Sequence, residues 1–526
     1  MINPKPRPCE GAIIGAIPAA PDCSKATQRW VLAATVLGST MAFVDESVVT
    51  VALPTIERDL ATSLAAMQWV VNAYTLCLSA LLLIGGAAGD RFGRRRVFAI
   101  GTAIFAAASL GCGLAPGIVS LILGRAVQGA GAAFLIPCSL AIIGAAFPES
   151  ERGKAIGLWS GASAIAAGLG PLLGGWLVDH ASWRVIFLIN PVLALPTLWI
   201  ALRRLPESRD PASTAGLDWP GAALAFGGLG ALAHGLIAAA DRGWRDGEVI
   251  LSLAAGALLL AALVRHEGRS AAPMLPLDLF RSRRFSGVNL LTLLLYGALG
   301  GAFFFLPFLL IQVHGYSATE TGAAFLPFTL ILGALSRWSG GLLDRFGARL
   351  PLVAGPAISA AGLALLAWPG TGGSYWTSFL APMVVLGFGM AVTVAPLTTT
   401  VINAVPARQT ATASGINNAV ASVASLLVIA LLGTIATAEL DRALDDRLAA
   451  LAAPPEIVRA VDGARGGFVM PALPAAIAAE ARETVQTVIA PSFAEALRSA
   501  MLIAAALALA GALSAALTMR PDDPGG

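Results

Sequence analysis

Charge is what this sequence has least of. Only 12% of its 526 residues are charged, whereas a typical soluble domain carries about 25%. Lysine occurs three times, at Lys5, Lys25 and Lys154, and the net charge is +3, too small to indicate a nucleic-acid partner. A chain with so few charges has little with which to face water, so lipid is expected to be its main solvent.

Histidine and cysteine are scarce as well. The five cysteines match no metal-ligand spacing, and the chain contains no Gly-x-x-x-x-Gly-Lys-Ser/Thr loop for a nucleotide. The sequence therefore predicts no catalytic residue, no metal and no cofactor. Of the functions considered, that of a membrane enzyme or receptor is the least supported by these residues. The four histidines are scattered over both predicted faces of the membrane, at His180, His234, His266 and His314.

Long apolar runs fill most of the chain, which is 57% hydrophobic. A helix needs about 20 mostly apolar residues to cross the hydrocarbon core of a bilayer. Fourteen stretches meet this requirement, so the predicted fold class is all-α: a polytopic membrane protein with 14 transmembrane helices. The spans are roughly residues 30–53, 66–88, 97–115, 117–146, 154–178, 184–202, 218–239, 248–264, 285–312, 320–342, 350–367, 374–402, 409–437 and 497–519.

The arginines and lysines predict the orientation of these spans. An even number of spans places both termini on the same side. If that side is the cytoplasm, the short inside loops hold 17 arginines and lysines and the short outside loops hold four, as the positive-inside rule requires. The sequence thus predicts a multi-pass protein of the bacterial cytoplasmic (inner) membrane, with cytoplasmic N- and C-termini.

A charged hairpin occurs twice between spans. Gly86-Ala-Ala-Gly-Asp-Arg-Phe-Gly-Arg-Arg-Arg96 joins spans 2 and 3, and Gly341-Leu-Leu-Asp-Arg-Phe-Gly-Ala-Arg349 joins spans 10 and 11. The offset of eight spans predicts two pseudo-repeated six-helix bundles with two helices inserted between them. The predicted division is a cytoplasmic tail 1–28, an N-terminal bundle 29–205, a linker with the inserted helices 206–275, and a C-terminal bundle 276–526 that includes an extracytoplasmic loop 438–496. Short amphipathic helices on the outer membrane surface are expected in that loop.

Both hairpins are predicted to act as conformational latches rather than as substrate contacts. Arginines hold such a turn at the anionic inner membrane surface, and glycines allow the chain to turn tightly. The residues assigned to the latch are Gly86, Asp90, Arg91, Gly93, Arg94, Asp344 and Arg345.

Few ionisable residues fall inside the predicted spans, chiefly Asp45 and Glu46 in span 1 and Arg125 in span 4. A charge there costs about 2.5–3.5 kcal/mol and is functional by default. Asp45 and Arg125 are predicted to lie at the same depth, roughly 12 Å below the outer surface. Asp45 and Glu46 are adjacent, about 100° apart on a helix, and cannot both point straight at one central cavity.

The hypothesis for these residues is that one acid exchanges a proton and senses a cationic substrate. A carboxyl group removed from water keeps its proton until a cation or an arginine approaches, so proton and cation exclude each other. The alternative is a permanent structural pair between Arg125 and Asp45 or Glu46. The sequence leaves open which of the two acids carries the proton.

Other polar and small residues are candidates for the transport path. Tyr74, Gln128, Asn417 and Asn418 are candidates for the cavity wall, although roles in helix packing are equally consistent with the pattern. In span 5, Gly170, Pro171, Gly174 and Gly175 combine small residues that allow close helix contact with a proline that favours a kink. This span is predicted to seal one face of a bundle, and simple tight packing is the alternative.

Taken together, these segments resemble the major facilitator superfamily, and more narrowly its fourteen-span drug:proton antiporter group. Gly86–Arg96 is similar to the signature loop of the family, and Val44-Asp-Glu-Ser-Val-Val-Thr-Val-Ala-Leu-Pro54 to the span 1 motif of the group, with its acid at Asp45. Leu123-Gly-Arg-Ala-Val-Gln-Gly-Ala-Gly131 resembles the span 4 motif, and Gly168-Leu-Gly-Pro-Leu-Leu-Gly-Gly175 the span 5 antiporter motif. Thr50, where the motif usually has asparagine, and the second acid, Glu46, depart from the pattern.

The resemblance implies alternating access, a proton-motive drive and export of amphipathic, often cationic drugs or metabolites. An exporter of a lipid, cell-envelope precursor or secondary metabolite with the same fold is the alternative. The partners expected are a small amphipathic substrate, protons and membrane lipid, with no nucleic acid. The protein is expected to be a monomer, and a periplasmic adaptor remains open.

Overall fold

The computed structural model describes residues 23–209, 217–270, 273–406, 409–451 and 479–519, together with residues 454, 455, 458, 461 and 465. Fourteen of the described helices are long and apolar enough to cross a membrane, which confirms the predicted fold class. They are α1 (Lys25–Asp59), α2 (Leu64–Phe92), α3 (Arg94–Gly113), α4 (Ile118–Ala146), α5 (Glu149–His180), α6 (Trp183–Arg204), α7 (Trp219–Arg242), α8 (Gly247–Glu267), α9 (Arg283–Phe308, followed by a π-helical turn Leu309–Val313), α10 (Ala318–Ala324, Leu326–Gly340 and Leu342–Phe346), α11 (Arg349–Leu366), α12 (Leu380–Asn403), α13 (Thr410–Ala450) and α14 (Ala479–Thr518).

Polar residues in the loops fix where several helices begin. Ser63 accepts a hydrogen bond from Ala66 N at the start of α2, and Asp218 does the same for Gly221 N at the start of α7. At α10, Ser317 and Glu320 form a capping box, in which each side chain accepts from the backbone N–H of the other. These caps satisfy amide groups that a helix end leaves without a partner.

Both limits of α1 differ from the sequence-based prediction. The first span does not end before Pro54 but continues through it to Asp59, and at its start it takes in residues 25–28 of the predicted tail. Proline is tolerated inside a helix where neighbouring helices accommodate the freed carbonyl. Residues 1–22 of the tail lie outside the described part of the chain.

The loop 438–496 is also different from its prediction. Instead of ending near residue 437 and giving way to short surface helices, α13 continues to Ala450, and α14 begins at Ala479. Leu440, Leu444 and Phe493 are fully buried on these extensions, so both helices continue past the predicted span limits as packed partners. Most residues between 452 and 478 lie outside the described part.

The helices pack in two groups. In the N-terminal group, α1 contacts α4, α5 and α6, while α4 also lies against α2 and α3. In the C-terminal group, α9 contacts α13 and α14, and α11 lies between α12 and α14. The bounds of the predicted domains themselves stay a prediction.

The two inserted helices lie against one seam between the groups. Helix α7 contacts α8 on one side and both α2 and α13 on the other. Leu229 and Ala233 of α7 share a small apolar cluster with Leu76 of α2 and Leu426 of α13. Helix α7 therefore bridges the two groups along α2 and α13.

At one end of the bundle, which we call the far face, the two groups are closed against each other. The far face is where α1 ends and α2 begins; the hairpin face, at the other end, carries both charged hairpins. Asp179, at the end of α5, accepts hydrogen bonds from the backbone N–H groups of Ala318 and Thr319, at 3.2 and 2.7 Å, and from the Thr319 hydroxyl at 2.6 Å. Gln68, in α2, donates to the carbonyl of Ile429, in α13, at 2.7 Å. Polar contacts thus cross both seams near the far face.

Toward the hairpin face, the distance between α5 and α10 increases. Near the far face, Gly175 meets the backbone of Ala318, and Gly322 meets the backbone of Pro171. Further along, a Cβ atom added to Gly157 of α5 or to Gly333 of α10 would meet no atom of another element within 4 Å. The α5–α10 seam is therefore closed at the far face and open toward the hairpin face.

Replacing Asp179 with alanine is expected to favour opening of the far face, because the hydrogen bonds that join α5 to α10 are lost. The contacts are partly exposed, so we expect about 1 kcal/mol, or roughly a fivefold change in population. Spin labels at Thr62 and Gly372, in far-face loops of the two groups, should then show a larger fraction of long distances in double electron–electron resonance.

The matched control is Asp59→Ala. Asp59 is also a far-face acid, but its hydrogen bonds go to Trp183 and Arg184 within its own group. If Asp179→Ala and Asp59→Ala give the same distance distribution, Asp179 does not hold the far face closed.

Candidate functional site

A buried polar cluster lies inside the N-terminal group, where α1, α3, α4 and α6 meet. Asp45 of α1 forms an ion pair with Arg125 of α4 through Oδ2. Its Oδ1 atom accepts hydrogen bonds from the side-chain amides of Gln128, at 2.6 Å, and Asn190, at 2.7 Å. Both amides also donate to the hydroxyl of Ser109. These five side chains are at most 2% exposed, and we call them the Asp45 cluster.

The orientation of the Gln128 amide follows from its neighbours. Its Oε1 atom accepts a hydrogen bond from Arg125 Nη1 at 2.8 Å, and a flipped amide would turn two N–H donors toward the guanidinium. Gln128 therefore presents Nε2 to Asp45. The carboxyl group of Asp45 thus accepts from a guanidinium and two amides, so both of its oxygens are occupied by donors.

Arg125 makes further contacts, and these explain the positions of Tyr74 and Gln128. Its Nε donates to the carbonyl of Val70 at 3.2 Å, and its guanidinium carbon lies 4.3 Å from the centre of the Tyr74 ring. Tyr74 and Gln128, which the sequence places among the candidates for the cavity wall, are 1% and 0% exposed. Both lie around Arg125 inside the N-terminal group, because a guanidinium held away from water needs partners for its donors and an aromatic face.

Glu46 differs from its neighbour Asp45 in its exposure and in its contacts. It is exposed, and it is the only exposed residue of α1 between Trp30 and Glu57. A lipid-facing helix shows exposed residues repeatedly, every three or four positions, and α1 shows no such stripe. An isolated exposed side chain on an otherwise enclosed helix therefore faces a space inside the bundle.

The C-terminal group contributes to the same kind of internal surface. Asn418 is the only exposed residue that the structure describes on α13 between Thr410 and Thr437, and Leu290 is the only exposed one on α9 between Arg284 and Val313. The neighbouring Asn417 is buried. Its amide donates to Asn289 Oδ1 and Thr292 Oγ1, at 3.2 and 2.8 Å, so Asn418, and not Asn417, faces the interior space.

The first hairpin is organised around Gly93. Its φ angle of +110° is strained for any residue with a side chain, and a Cβ there would lie 2.7 Å from the carboxylate carbon of Glu207. Asp90 pairs with Arg94 one turn later, with 2.9 Å between Oδ1 and Nε. Glu207, from the linker that follows α6, accepts a hydrogen bond from Arg95 N at 3.0 Å.

The other predicted latch residues are less constrained. Arg91 is exposed, and Gly86 lies near Pro137 of α4, with 3.7 Å between the position of its missing Cβ and the proline Cβ. In the second hairpin, Arg345 is exposed, and the side chain of Asp344 lies outside the described part. The latch role of both hairpins stays a prediction.

The glycines of α5 lie at close helix contacts. A Cβ on Gly170 would run into Ser47, and a Cβ on Gly174 would lie 2.8 Å from Val48 Cγ1, both on α1. Gly175 instead meets the backbone of Ala318 in α10. The motif therefore brings α5 against α1 and α10 near the far face, and the helix remains continuous through Pro171.

Reasoning from the sequence missed Ser109, Asn190, Asp179 and Glu207. Asn190 and Glu207 each precede or follow a proline, which gave a local signal of a special position, but their partners lie over 100 residues away. Ser109 and Asp179 carried no signal that separates them from ordinary helix residues. Among the residues that the structure describes, no three His, Cys, Asp and Glu residues could together hold a metal ion.

Asn190→Leu is expected to destabilise the protein by about 1–3 kcal/mol, because Asp45 Oδ1 loses a donor in a buried place. The measurement is the midpoint of thermal unfolding in detergent. Thr197→Val is the matched control on the same helix: Thr197 is equally buried, but its hydroxyl donates only to the carbonyl of Leu193, one turn earlier. Equal midpoints for the two variants would show that the amide of Asn190 does not support Asp45.

The comparisons with known proteins agree with this architecture. Residues 35–429 match the family model described as Major Facilitator Superfamily. The chain is 33% identical over 505 residues to a tetracenomycin C resistance and export protein of Streptomyces glaucescens, covering 94% of this chain and 92% of the relative. It is 35% identical to the multidrug resistance protein Stp of Mycobacterium tuberculosis, covering 80% and 78%.

Among solved structures, the fold is similar to that of a bacterial homologue of the human lysosomal transporter Spinster in an inward-facing, unoccupied conformation. The TM-score is 0.66 at 18% identity, over 94% of this chain and 97% of that one. Both relatives of this chain are named as resistance proteins. Together with the family match, they identify the chain as a member of the Major Facilitator Superfamily.

Proposed function

We propose that this protein exports amphipathic, cationic compounds across the cytoplasmic membrane in exchange for protons. One observation carries the proposal: the carboxylate of Glu46 faces an internal space beside a neighbouring acid that is already paired. Asp45 has a complete set of partners, whereas no hydrogen bond or ion pair is described for the Glu46 carboxylate.

The charge balance supports exchange at this place. Asp45, Glu46 and Arg125 sum to one negative charge, and Asp45 and Arg125 already neutralise each other. A single unpaired charge inside a membrane is unfavourable, and either a proton or a monovalent cation on Glu46 removes it. Because the two neutralise the same charge, each displaces the other, and the expected exchange is one proton for one monovalent cation.

The shape of the bundle is consistent with access to Glu46 from one side of the membrane at a time. The positive-inside count supports a cytoplasmic hairpin face, and the opening between α5 and α10 would then lead to the cytoplasm. In this state a cationic substrate reaches Glu46 from inside. After the far face opens and the hairpin face closes, a proton from outside takes the place of the substrate. Alternation between these states around one central site is the mechanism of many transporters.

In this proposal the Asp45 cluster is a positioning device. Its donors hold Asp45 against Arg125, which leaves Glu46 as the acid that exchanges. The sequence by itself left the assignment open between the two acids, and the contacts of the side chains favour Glu46. The relatives named for antibiotic export support an amphipathic antibiotic-like compound as the class of substrate.

Glu46→Gln is expected to remove proton-driven efflux of cationic dyes while leaving the protein folded, because no described contact of the carboxylate is lost. The measurement is dye efflux from inverted membrane vesicles, with and without a collapsed proton gradient, beside thermal unfolding in detergent. The variant should unfold at the wild-type temperature, and collapsing the gradient should change its residual dye movement little.

Asp45→Asn gives the contrasting result. It leaves Arg125 buried without its counter-ion, which costs about 3–5 kcal/mol, so both efflux and thermal stability should fall. Two results together would assign the proton to Asp45. Proton-driven efflux would persist in Glu46→Gln, and Asp45→Asn would be fully stable and would transport without proton coupling. Dye efflux of the wild type that ignores the proton gradient would exclude antiport altogether.

A further inference from the structure

A second site lies at the hairpin face, away from the Asp45 cluster. An open cleft of about 430 Å³ lies between the first hairpin, helices α3 and α4, and the start of α7. Seven of its ten lining residues are apolar and the other three are arginines. None of the ten is acidic. The arginines are Arg91, Arg96 and Arg209, and the largest apolar residues are Phe92, Phe134 and Trp219.

The arginines of the cleft are poorly neutralised. Asp90 is bound by Arg94, with 2.8 Å between Oδ1 and Nη2. Glu207 is shared between Arg95 and Arg96, whose Nε atoms lie 3.5 and 3.6 Å from it. Among the described residues, neither Arg91 nor Arg209 has an acidic partner, and both are exposed. The cleft therefore carries an excess of positive charge.

The apolar walls of the cleft are exposed as well. Phe92, Ile100 and Trp219 are 49%, 57% and 54% exposed, although they lie at the ends of membrane-spanning helices. Exposed aromatic residues at such positions are typical of the interface between lipid and water. Cationic groups at the headgroup level, beside apolar side chains at the level of the acyl chains, match the two parts of a phospholipid.

We propose that this cleft binds the phosphate headgroup of an anionic phospholipid through Arg91, Arg96 and Arg209, with an acyl chain against Phe92 and Ile100. Basic pockets between helices at the cytoplasmic side of a membrane bind such headgroups. A free phosphate ion would use the arginines alone and leave the apolar wall exposed, so the lining favours a lipid over a soluble anion.

A lipid in this cleft would contact two parts of the molecule that are distant in the sequence. Arg91 and Arg96 belong to the hairpin between α2 and α3, whereas Arg209 and Trp219 belong to the linker and to the start of the inserted helix α7. The lipid would therefore add to the contacts of Glu207 that already join the linker to the hairpin. This inference concerns binding and does not depend on the proposed antiport.

The test is lipid binding to the full-length protein in detergent, measured by native mass spectrometry with phosphatidylglycerol, cardiolipin or phosphatidylcholine. The wild type should retain one anionic lipid and little phosphatidylcholine. Arg91→Gln/Arg209→Gln should bind phosphatidylglycerol roughly thirtyfold more weakly, because each arginine near an anionic lipid contributes about a factor of five. Arg209→Gln alone, in the linker, tests the same contact if the double variant does not fold.

Arg265→Gln/Arg269→Gln is the charge-matched control. Both residues are exposed at the hairpin end of α8 and outside the cleft, so this variant should bind like the wild type. The proposal is overturned if both double variants lose lipid equally, or if phosphatidylcholine is retained as well as phosphatidylglycerol. It is also overturned if phosphatidylglycerol binds no more tightly than inorganic phosphate, which would make the cleft a site for soluble phosphate.

Discussion

The N-terminal half of this transporter is built around one buried charge pair. A guanidinium inside a membrane needs a counter-ion and partners for its donors, and Arg125 obtains them from α1, α2 and α4. The carboxylate of Asp45 in turn recruits Asn190 from α6 and, through the amides, Ser109 from α3. Because each partner comes from a different helix, satisfying this single pair fixes how five helices stand relative to one another.

The number and type of the helices could be predicted from the sequence, because length and hydropathy are local properties. Depth predicted that an acid of span 1 meets Arg125, but it left open whether that acid is Asp45 or Glu46. What could not be predicted was which side chains complete the pair. Tyr74 and Gln128 looked like cavity residues because they are polar and lie within spans, yet the demands of Arg125 draw both into the interior of the group.

The limits of the helices were predicted less well where tertiary contacts override local signals. Pro54 reads as a stop, but packing carries α1 past it to Asp59. The charged residues after Thr437 read as the start of a surface loop, but Leu440 and Leu444 continue an apolar stripe that holds α13 against its neighbours. A hydropathy window sees the charges and not the partner that covers the leucines.

The inserted helices make the two seams of the bundle unequal. Helix α7 lies along α2 and α13 and touches both groups, while the seam between α5 and α10 has no such cover. Separation of the groups along α2 and α13 would therefore also break contacts with α7, whereas the seam between α5 and α10 is held only by the direct contacts of those two helices, among them the hydrogen bonds of Asp179. Opening is therefore expected to be asymmetric, with α2, α7 and α13 remaining in contact while α5 and α10 separate.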